Sequence, residues 1–255
     1  MIRTENLFKS FGDNEVLKGI STSFHAGQTN LIIGRSGAGK TVLLKLLVGL
    51  FQPTSGHVFY DDIDFFSLNA KQLRAIRMEV GMLFQGNALF DSLTVEENVR
   101  FPLDMFTQMT TAEKRKRVDY CLDRVNLEGV NPRYPSEVSG GMQKRVGIAR
   151  AIVLEPKYLF CDEPNSGLDP KTAIVIDELI ADITKEQNIT TVINTHDMNS
   201  VMEIGEKIIF LKNGYKEWEG TNKEIFKTDN EAVTNFVYSS ELFKKVRQMY
   251  IEERN

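Results

Sequence analysis

The run GRSGAGKT, residues 34 to 41, combines glycines with a lysine and a threonine at a spacing suited to phosphate chemistry. Glycine loses more conformational freedom on folding than any other residue, so a cluster of glycines needs a geometric reason. Backbone N–H groups in such a loop can surround a polyphosphate, and the positive end of a following helix adds to the attraction. The pattern G-x-x-x-x-G-K-T therefore predicts a nucleoside triphosphate site, in which Lys40 reaches the outer phosphates and the Thr41 hydroxyl holds Mg²⁺.

Two later runs place acids and a histidine where parallel strands should end. TNLIIG, just before the glycine loop, is typical of a buried parallel strand, and VLLKLLVGL after it repeats leucine at helical spacing. Further on, LFCDE ends an apolar run in two acids, and ITTVINTHD ends another in a histidine. Because ligands gather at the carboxyl ends of parallel strands, we expect Asp162, Glu163 and His196 to lie near the phosphate loop.

These three side chains suggest a hydrolytic site. Asp162 would anchor Mg²⁺ through water, and Glu163 would polarise the attacking water. His196 would contact the terminal phosphate or orient Glu163. The alternative for the two acids is an ordinary pair at a surface strand end. His25 and His57, which lack such a context, are interpreted as plain surface or core histidines.

Composition is that of an ordinary globular protein. The 255 residues are 42% apolar and 26% charged, with a net charge of −4, so no overall basic field favours nucleic acid or an anionic membrane. The two cysteines, Cys121 and Cys161, are too few for a disulfide framework and are expected to be reduced. No apolar run is long enough for a membrane span and the N-terminus lacks the features of a signal peptide, so we expect a cytosolic protein.

The order of elements predicts an α/β protein with one helical region. Strand patterns surround the glycine loop in the first 60 or so residues and suggest an antiparallel patch. Helical patterns follow from Ser92 to Leu154, with a capping box at Thr94 and Glu97. One of these helices places Val118, Cys121, Leu122 and Val125 on a single face, and its KRKR run favours a solvated helix face over a nucleic-acid patch. A closing hairpin is expected across Asn213 and Gly214.

The motifs together resemble those of ABC transporter ATPases over about residues 1 to 228. VSGGMQKR, residues 138 to 145, is similar to the family's signature sequence and stands just ahead of the acidic strand. Six motifs occur in the family's order, namely KSFG, GRSGAGKT, LFQ, VSGGMQKR, LFCDEPNSGLD and NTHD. The resemblance implies a P-loop NTPase (RecA-like) core with a parallel sheet and an N-terminal antiparallel β subdomain. It also implies a helical subdomain inserted at about 86–156 and a helical C-terminal extension at 229–255.

The resemblance further implies that ATP with Mg²⁺ is bound between two copies of the chain. In a head-to-tail dimer, the signature loop of one copy covers the ATP held by the phosphate loop of the other. Phe11 would stack on adenine unless it is a plain core aromatic, Val16 would lie near the ribose, and Gln85 would reach Mg²⁺ and the attacking water. The expected metal residues are Thr41, Gln85 and Asp162, and the expected catalytic residues are Lys40, Gln85, Glu163 and His196. The expected nucleotide-binding residues are Phe11, Val16, Gly34, Ser36, Gly37, Ala38, Gly39, Lys40, Thr41, Val42, Ser139, Gly140 and Gly141.

Small departures from the family pattern leave the expected chemistry intact. Val42 stands where many relatives have a second Ser or Thr, Met142 takes the usual Gln position of the signature, and Asn165 replaces a common Thr. No essential carboxylate, lysine or histidine is missing, so an active ATPase is expected. Ser166 to Asp169 match the loop that communicates across the dimer.

The cargo is suggested by the run LFQGNALFDSLTVEENVRFPL together with Met142. Both resemble the ATPases of lipid-asymmetry (Mla) and other mammalian-cell-entry type phospholipid transporters. Amino-acid and methionine importer ATPases share part of this run and stay an alternative, and a non-transport ABC ATPase of translation or DNA repair is a further one. VSGGMQ excludes a GTPase or kinase built on the same loop.

The partners follow from the resemblance as well. A separate membrane permease, contacted near Gln85 and through Phe84, Phe90 and Phe101, would bring the chain to the cytoplasmic face of the inner membrane. The alternative is that these aromatics pack the insert's own core. A lipid-binding substrate protein and a small accessory regulator are further possible partners, and nucleic acid is not expected. The apolar face of ELFKKVRQMYIEERN, with Leu242, Phe243, Val246, Met249 and Tyr250, packs on its own domain or reaches the second ATPase.

Overall fold

The alternation of strands and helices expected from the sequence is present in the structure, a computed structural model that describes residues 1–238. Within that range the strands are β1 (Ile2–Phe11), β2 (Asn14–Phe24), β3 (Gln28–Ile33), β4 (Ser55–Tyr60), β5 (Ile63–Asp64), β6 (Val80–Leu83), β7 (Tyr158–Asp162), β8 (Thr190–Asn194), β9 (Lys207–Lys212) and β10 (Tyr215–Gly220). The α-helices are α1 (Lys40–Leu47), α2 (Ala70–Met78), α3 (Val95–Phe106), α4 (Thr111–Arg124), α5 (Gly140–Ile152), α6 (Pro170–Glu186), α7 (Met198–Ile204) and α8 (Glu231–Val237).

The strands form two sheets that confirm the predicted fold class. The first sheet has the order β2-β1-β4-β5 and is antiparallel throughout. The second has the order β10-β9-β3-β8-β7-β6, in which β9, β3, β8, β7 and β6 are parallel and β10 pairs antiparallel with β9. The carboxyl ends of β3, β6, β7 and β8 therefore meet at one edge of the sheet.

Both faces of the parallel sheet are buried, which explains its nearly continuous apolar strands. Leu31 and Ile33 of β3 belong to one core cluster, which includes residues of α3 to α6, while Ile32 belongs to the other, with residues of α1 and the antiparallel sheet. Successive residues of a strand point to opposite faces, so an apolar run of this kind needs a covering layer on each side. The prediction of a buried parallel strand before the glycine loop is confirmed.

The helical region between β6 and β7 has the expected caps and buried face. The Thr94 hydroxyl accepts a hydrogen bond from the Glu97 N–H at 3.2 Å, and the Glu97 carboxylate accepts one from the Thr94 N–H at 2.8 Å. The four residues predicted to share one apolar face are all buried, namely Val118, Cys121, Leu122 and Val125. The prediction of α4 as an amphipathic helix is therefore confirmed, although the helix ends at Arg124.

The KRKR run of α4 is only partly a solvated face. Arg115 and Lys116 are exposed, as expected. Lys114, in contrast, forms an ion pair with Asp104 at 2.9 Å, and the Arg117 guanidinium donates to two carbonyl oxygens at the end of α5. Two of the four cations thus hold the helices of the insert together.

The closing hairpin and the cysteines also match expectation. Asn213 and Gly214 both have positive φ, 51° and 85°, as a two-residue hairpin turn between β9 and β10 requires. Both cysteines are free and buried, and burial raises the pKa of Cys121 to about 11 and that of Cys161 to about 12. Their thiols stay protonated at neutral pH, as structural cysteines do.

Two further expectations concern the membrane and the C-terminus. Across residues 1–238, no helix combines the length and the apolar character that crossing a bilayer requires. The expected C-terminal extension begins with α8, whose N-terminus is capped by Asn230. The predicted apolar face from Leu242 to Tyr250 lies outside the described residues.

Candidate nucleotide site

The glycine loop connects β3 to α1 in a conformation that larger residues could not adopt. A Cβ atom at Gly34 would lie 2.4 Å from the Leu211 carbonyl oxygen, and one at Gly39 would lie 2.6 Å from a Leu17 methyl group. Gly39, which precedes the first residue of α1, also has φ of 102°, in the region that only glycine adopts readily. The entropy lost by these glycines is explained by the close approach of the loop to β9 of the parallel sheet and to β2 of the antiparallel sheet.

Lys40 lies under the loop, almost fully buried. Its ammonium donates hydrogen bonds to the carbonyl oxygens of Gly34 at 3.0 Å and Arg35 at 3.4 Å, and it lies 3.9 Å from a carboxylate oxygen of Glu163. The loop carbonyls thus hold the Lys40 cation in place, and the N-terminus of α1 adds the positive end of its dipole. An anion such as a terminal phosphate would find a favourable field here.

Asp162 and Thr41 meet at the end of β7. The Thr41 hydroxyl donates to Oδ1 of Asp162 at 3.4 Å, and Asp162 is 5% exposed. The described part of the chain has no group of three or more His, Cys, Asp or Glu side chains able to hold a metal ion by itself. A hydroxyl and a carboxylate are nevertheless the oxygen ligands that Mg²⁺ accepts alongside phosphate and water, so the residues present fit this cation.

Glu163 and His196 form a hydrogen-bonded pair at the same edge. His196 Nδ1 lies 2.7 Å from Oε2 of Glu163, whose side chain is 13% exposed. Glu163 also has φ of 50°, an uncommon backbone conformation for a residue other than glycine, and its N–H donates to the Asn194 carbonyl oxygen at 3.0 Å. Such local strain is common at functional sites, and here the carboxylate lies 3.9 Å from the Lys40 ammonium of the phosphate loop.

A cleft of about 610 Å³ brings most of the predicted residues together. The predicted residues that line it are Val16, Gly34, Ser36, Gly37, Gly39, Lys40, Thr41, Val42, Gln85, Glu163 and His196. Of the others, Ala38 lines a neighbouring cavity, while Asp162 is buried and hydrogen-bonded to Thr41 of the cleft lining. Arg35 and Phe236 line the cleft as well, and sequence reasoning missed both.

Phe11 lies outside this lining but is available to a base. Its side chain is 45% exposed, its ring packs edge-on against Phe51 with centroids 5.3 Å apart, and the Lys9 ammonium lies 4.8 Å from the ring centroid. The alternative of a core aromatic is therefore wrong. Stacking of Phe11 on adenine stays a prediction.

The signature residues are placed elsewhere. Ser139 caps the N-terminus of α5, where its hydroxyl accepts from the Met142 N–H at 3.3 Å. Ser139, Gly140 and Gly141 line a separate cavity of about 350 Å³, here called the signature cavity. It shares no lining residue with the phosphate-loop cleft. The structure thus does not bring the two predicted anion sites together within one chain.

Two basic residues of α5 hold the loop that carries Gln85. The almost fully buried Lys144 donates to the Gln85 carbonyl oxygen at 2.6 Å, and Arg150 donates to those of Asn87 at 2.6 Å and Ala88 at 2.7 Å. Burial lowers the pKa of Lys144. Sequence reasoning missed both cations, because nothing in their spacing shows that they reach a loop about 60 residues away.

A buried acid lies beside the segment that follows Glu163. The pKa of Asp177 on α6 is raised to about 6, and burial is the largest cause. The charges of Asp197 and Glu203 also raise this pKa, while hydrogen bonds from Ser200 and Asn165 lower it. Asn165 Nδ2 donates to the Ser200 hydroxyl at 3.0 Å. Within residues 1–238, Oδ1 of Asp177 and Oδ1 of Asn165 have no hydrogen-bond partner. Ionised Asp177 is therefore destabilising at neutral pH.

We expect Asp177→Asn to stabilise the protein in alkaline buffer. A folded pKa above the unfolded value means that the contribution of Asp177 to stability is present at pH below about 4 and is lost as the pH rises through about 6. This pKa shift corresponds to a loss of about 3 kcal/mol in the free energy of unfolding at high pH. The free energy of unfolding of the variant should therefore exceed that of the wild type by about 3 kcal/mol at pH 8 and by little at pH 4. Urea unfolding across this range measures the gain. The exposed Asp182→Asn on the same helix is the control, and a gain that does not depend on pH would contradict the explanation.

The strand, glycine loop, helix and acidic strand ends define a P-loop nucleoside triphosphatase. Sequence comparison gives the family: a model described as "ABC transporter" matches residues 17–166. The chain belongs to the ABC transporter family. It is an ATPase and binds ATP with Mg²⁺.

Curated relatives cover nearly the whole chain. The probable ribonucleotide transport ATP-binding protein mkl of Mycobacterium leprae is 36% identical over 236 residues, which are 92% of this chain and 68% of that protein. The methionine import ATP-binding protein MetN 3 of Shouchella clausii is 38% identical over 259 residues, 100% of this chain and 74% of that protein.

A solved structure supports the fold and the chemistry. The dimeric structure of MJ0796, described as a bacterial ABC transporter cassette, has a TM-score of 0.80 and 36% identity, covering 87% of this chain and 99% of that one. A second dimeric structure of MJ0796, at 35% identity, is described as a post-hydrolysis state bound to ADP and Pi.

Proposed function

We propose that this chain is the nucleotide-binding subunit of an ABC transporter and that two copies form a head-to-tail dimer with two ATP molecules between them. The separation of the phosphate-loop cleft from the signature cavity supports the dimer, because both anion sites can reach one ATP only if they come from different chains. MJ0796 forms a dimer in both of its structures described above. In this proposal residues 1–228 form the ATPase domain, with the helical subdomain at about 86–156, and residues 229–255 form the extension.

The proposed roles follow from the contacts in the cleft. Lys40, which bonds to the loop carbonyls here, would reach the outer phosphates, the Thr41 hydroxyl and Gln85 would hold Mg²⁺, and Asp162 would anchor it through water. Mg²⁺, when bound, neutralises charge on the phosphates. Glu163 accepts a proton from the attacking water, and the hydrogen bond from His196 fixes the orientation of its carboxylate.

The proposed nucleotide contacts come from several elements. In one chain they are Phe11 on the base, Val16 at the ribose, and Gly34, Ser36, Gly37, Ala38, Gly39, Thr41 and Val42 around the phosphates. The second copy contributes Ser139, Gly140 and Gly141, whose backbone N–H groups lie at the N-terminus of α5.

The permease would contact the exposed aromatic side chains Phe84, Phe90 and Phe101. These side chains are 38%, 43% and 38% exposed, and the rings of Phe90 and Phe101 lie 4.9 Å apart. The fully buried Asn98 holds the loop that carries Phe90, since it accepts from the Phe90 N–H at 2.8 Å and donates back to the Phe90 carbonyl oxygen at 3.0 Å. A fixed, apolar surface of this kind suits a helix of a membrane partner. Binding there would place the chain on the cytoplasmic face of the inner membrane.

The cargo we propose is phospholipid, and the sequence from Leu83 to Leu103 carries this proposal. It resembles the matching segment of lipid-asymmetry type ATPases, and it is the segment that forms the exposed surface just described. A lipid-binding substrate protein and a small accessory regulator would complete such a transporter. The second candidate is methionine or amino-acid import, which the 38% identity to MetN 3 over the full chain favours.

Composition of the native complex tests the proposed function. The chain is purified from membranes in mild detergent, and its bound proteins and lipids are identified by mass spectrometry. We expect a permease, a mammalian-cell-entry domain protein and stoichiometric phospholipid. A permease with a solute-binding protein and no lipid would favour the importer, while ribosomal or DNA-bound partners would contradict transport.

A matched pair of variants tests the surface in the same experiment. Phe90→Ala combined with Phe101→Ala should lose the permease but keep ATP binding, because the rings lie on the surface of the insert. Tyr215→Ala, which removes an aromatic side chain that is 49% exposed on β10, should keep the permease. Retention of the permease by the double variant would contradict the proposed contact.

A further inference from the structure

Asn194 is a polar residue at the end of an otherwise apolar strand. It is 0% exposed, and its register places it between Ile32 of β3 and Asp162 of β7. Residues in register on parallel strands point to the same face of the sheet, here the face covered by α1. An amide buried on such a face is destabilising unless it is paired, so its presence needs a reason.

The contacts of Asn194 are with the two acids of the site. Its Nδ2 donates to Oδ1 of Asp162 at 3.0 Å, and its backbone carbonyl accepts from the Glu163 N–H at 3.0 Å. Thr41 donates to the same Asp162 oxygen at 3.4 Å. Both side-chain donors approach Oδ1, which leaves Oδ2 as the oxygen that can face a metal-bound water.

The side-chain oxygen of Asn194, Oδ1, has no hydrogen-bond partner among the described residues, although this atom is buried. The orientation of the amide is fixed by its partner, since an ionised carboxylate only accepts hydrogen bonds and Nδ2 must face it. A buried acceptor next to the carboxylate of a magnesium site can receive a hydrogen bond from water, and Mg²⁺ usually keeps several waters.

We propose that Asn194 is a positioning residue of the magnesium site, whose amide holds the Asp162 carboxylate in the orientation that binds the cation. This inference rests on the proposed role of Asp162. Partners of this kind, which contact a ligand and not the metal, affect metal affinity about 10- to 100-fold. A residue that only filled space at the end of β8 would instead affect the stability of the sheet.

Metal affinity measured without turnover tests the proposal. Mn²⁺ replaces Mg²⁺, and its binding to the full chain with a non-hydrolysable ATP analogue is followed by electron paramagnetic resonance. We expect Asn194→Leu, which has nearly the same shape but no amide, to bind Mn²⁺ about 10-fold more weakly, with unchanged affinity for the analogue in EDTA. Asn194→Val is the second variant, used if the leucine variant does not fold.

Two controls separate a role of Asn194 in metal binding from a role in the stability of the sheet. Thr191→Val removes a buried hydroxyl from the same strand, one that pairs with Thr184 at 2.6 Å, and should lower the melting temperature without changing Mn²⁺ affinity. Asp162→Asn should weaken Mn²⁺ binding more than either Asn194 variant. Wild-type Mn²⁺ affinity in folded Asn194 variants overturns the inference alone, whereas wild-type affinity in Asp162→Asn overturns the proposed metal role and the inference with it.

Discussion

Glu163→Gln is expected to bind ATP, to lose nearly all turnover and to accumulate as an ATP-bound dimer. The amide has the shape of the carboxylate but cannot accept a proton from the attacking water, and general base catalysis is worth about 100- to 10,000-fold in rate. Binding should persist, because in the proposed site the phosphates are held by the loop and by Lys40 rather than by Glu163. Steady-state phosphate release and the mass of the complex in ATP measure the two effects.

The matched control for this variant is Glu128→Gln. Glu128 is exposed and lies outside the cleft, so the turnover of Glu128→Gln should equal that of the wild type. Turnover by Glu163→Gln within a few-fold of the wild type would show that another group acts as the base.

Lys40→Ala is expected to weaken nucleotide binding itself. The ammonium is almost fully buried, and hydrogen bonds to charged groups contribute about 1.5–3 kcal/mol, so the Kd for ATP should rise about 10- to 100-fold. Turnover at ordinary ATP concentrations should fall accordingly. Equilibrium binding of a fluorescent ATP analogue, with and without Mg²⁺, measures the effect.

The Lys40→Ala substitution could weaken ATP binding by disturbing the loop rather than by removing a phosphate contact, so the folding of the variant is measured as well. Lys40 also bonds to the carbonyl oxygens of Gly34 and Arg35, so its loss could disturb the loop, and the melting temperature is measured in parallel. Lys71→Ala, at an exposed position of α2, is the control and should bind ATP normally. Unchanged affinity in a folded Lys40→Ala would contradict the assignment of this lysine to the phosphates.

The parts of the fold that could be predicted depend on local geometry. GRSGAGKT, the Thr94 capping box and the turn at Asn213 each follow from constraints within a few residues of chain. The acids and the histidine could be placed at one edge because strands of a parallel sheet share a direction. These expectations needed no knowledge of which strands are neighbours.

The contacts that could not be predicted depend on strand order and on the packing of distant segments. Asn194 meets Asp162 only because β8 lies between β3 and β7, an order that chain sequence alone does not give. Lys144 reaches the Gln85 loop, and Phe236 reaches the cleft from the region after the shared motifs. In the sequence, Lys144 and Phe236 occur within helical patterns, and their spacing does not distinguish them from residues that face solvent or pack in the core of their own helix.

ATP-dependent dimerisation tests the central claim, that each ATP is held between two copies of the chain. Gly140 suits this test, because it lines the signature cavity and a Cβ atom there would have no atom within 4 Å apart from its chain neighbours and the backbone of its own helix. In the Glu163→Gln background, Gly140→Glu places a carboxylate where the partner's ATP should lie, and Ala112→Glu on α4 adds the same charge elsewhere. Sedimentation in ATP and Mg²⁺ should show a dimer with one ATP per chain for the background and for Ala112→Glu. Gly140→Glu should bind ATP as a monomer, and a dimer of undiminished stability for Gly140→Glu would contradict the account.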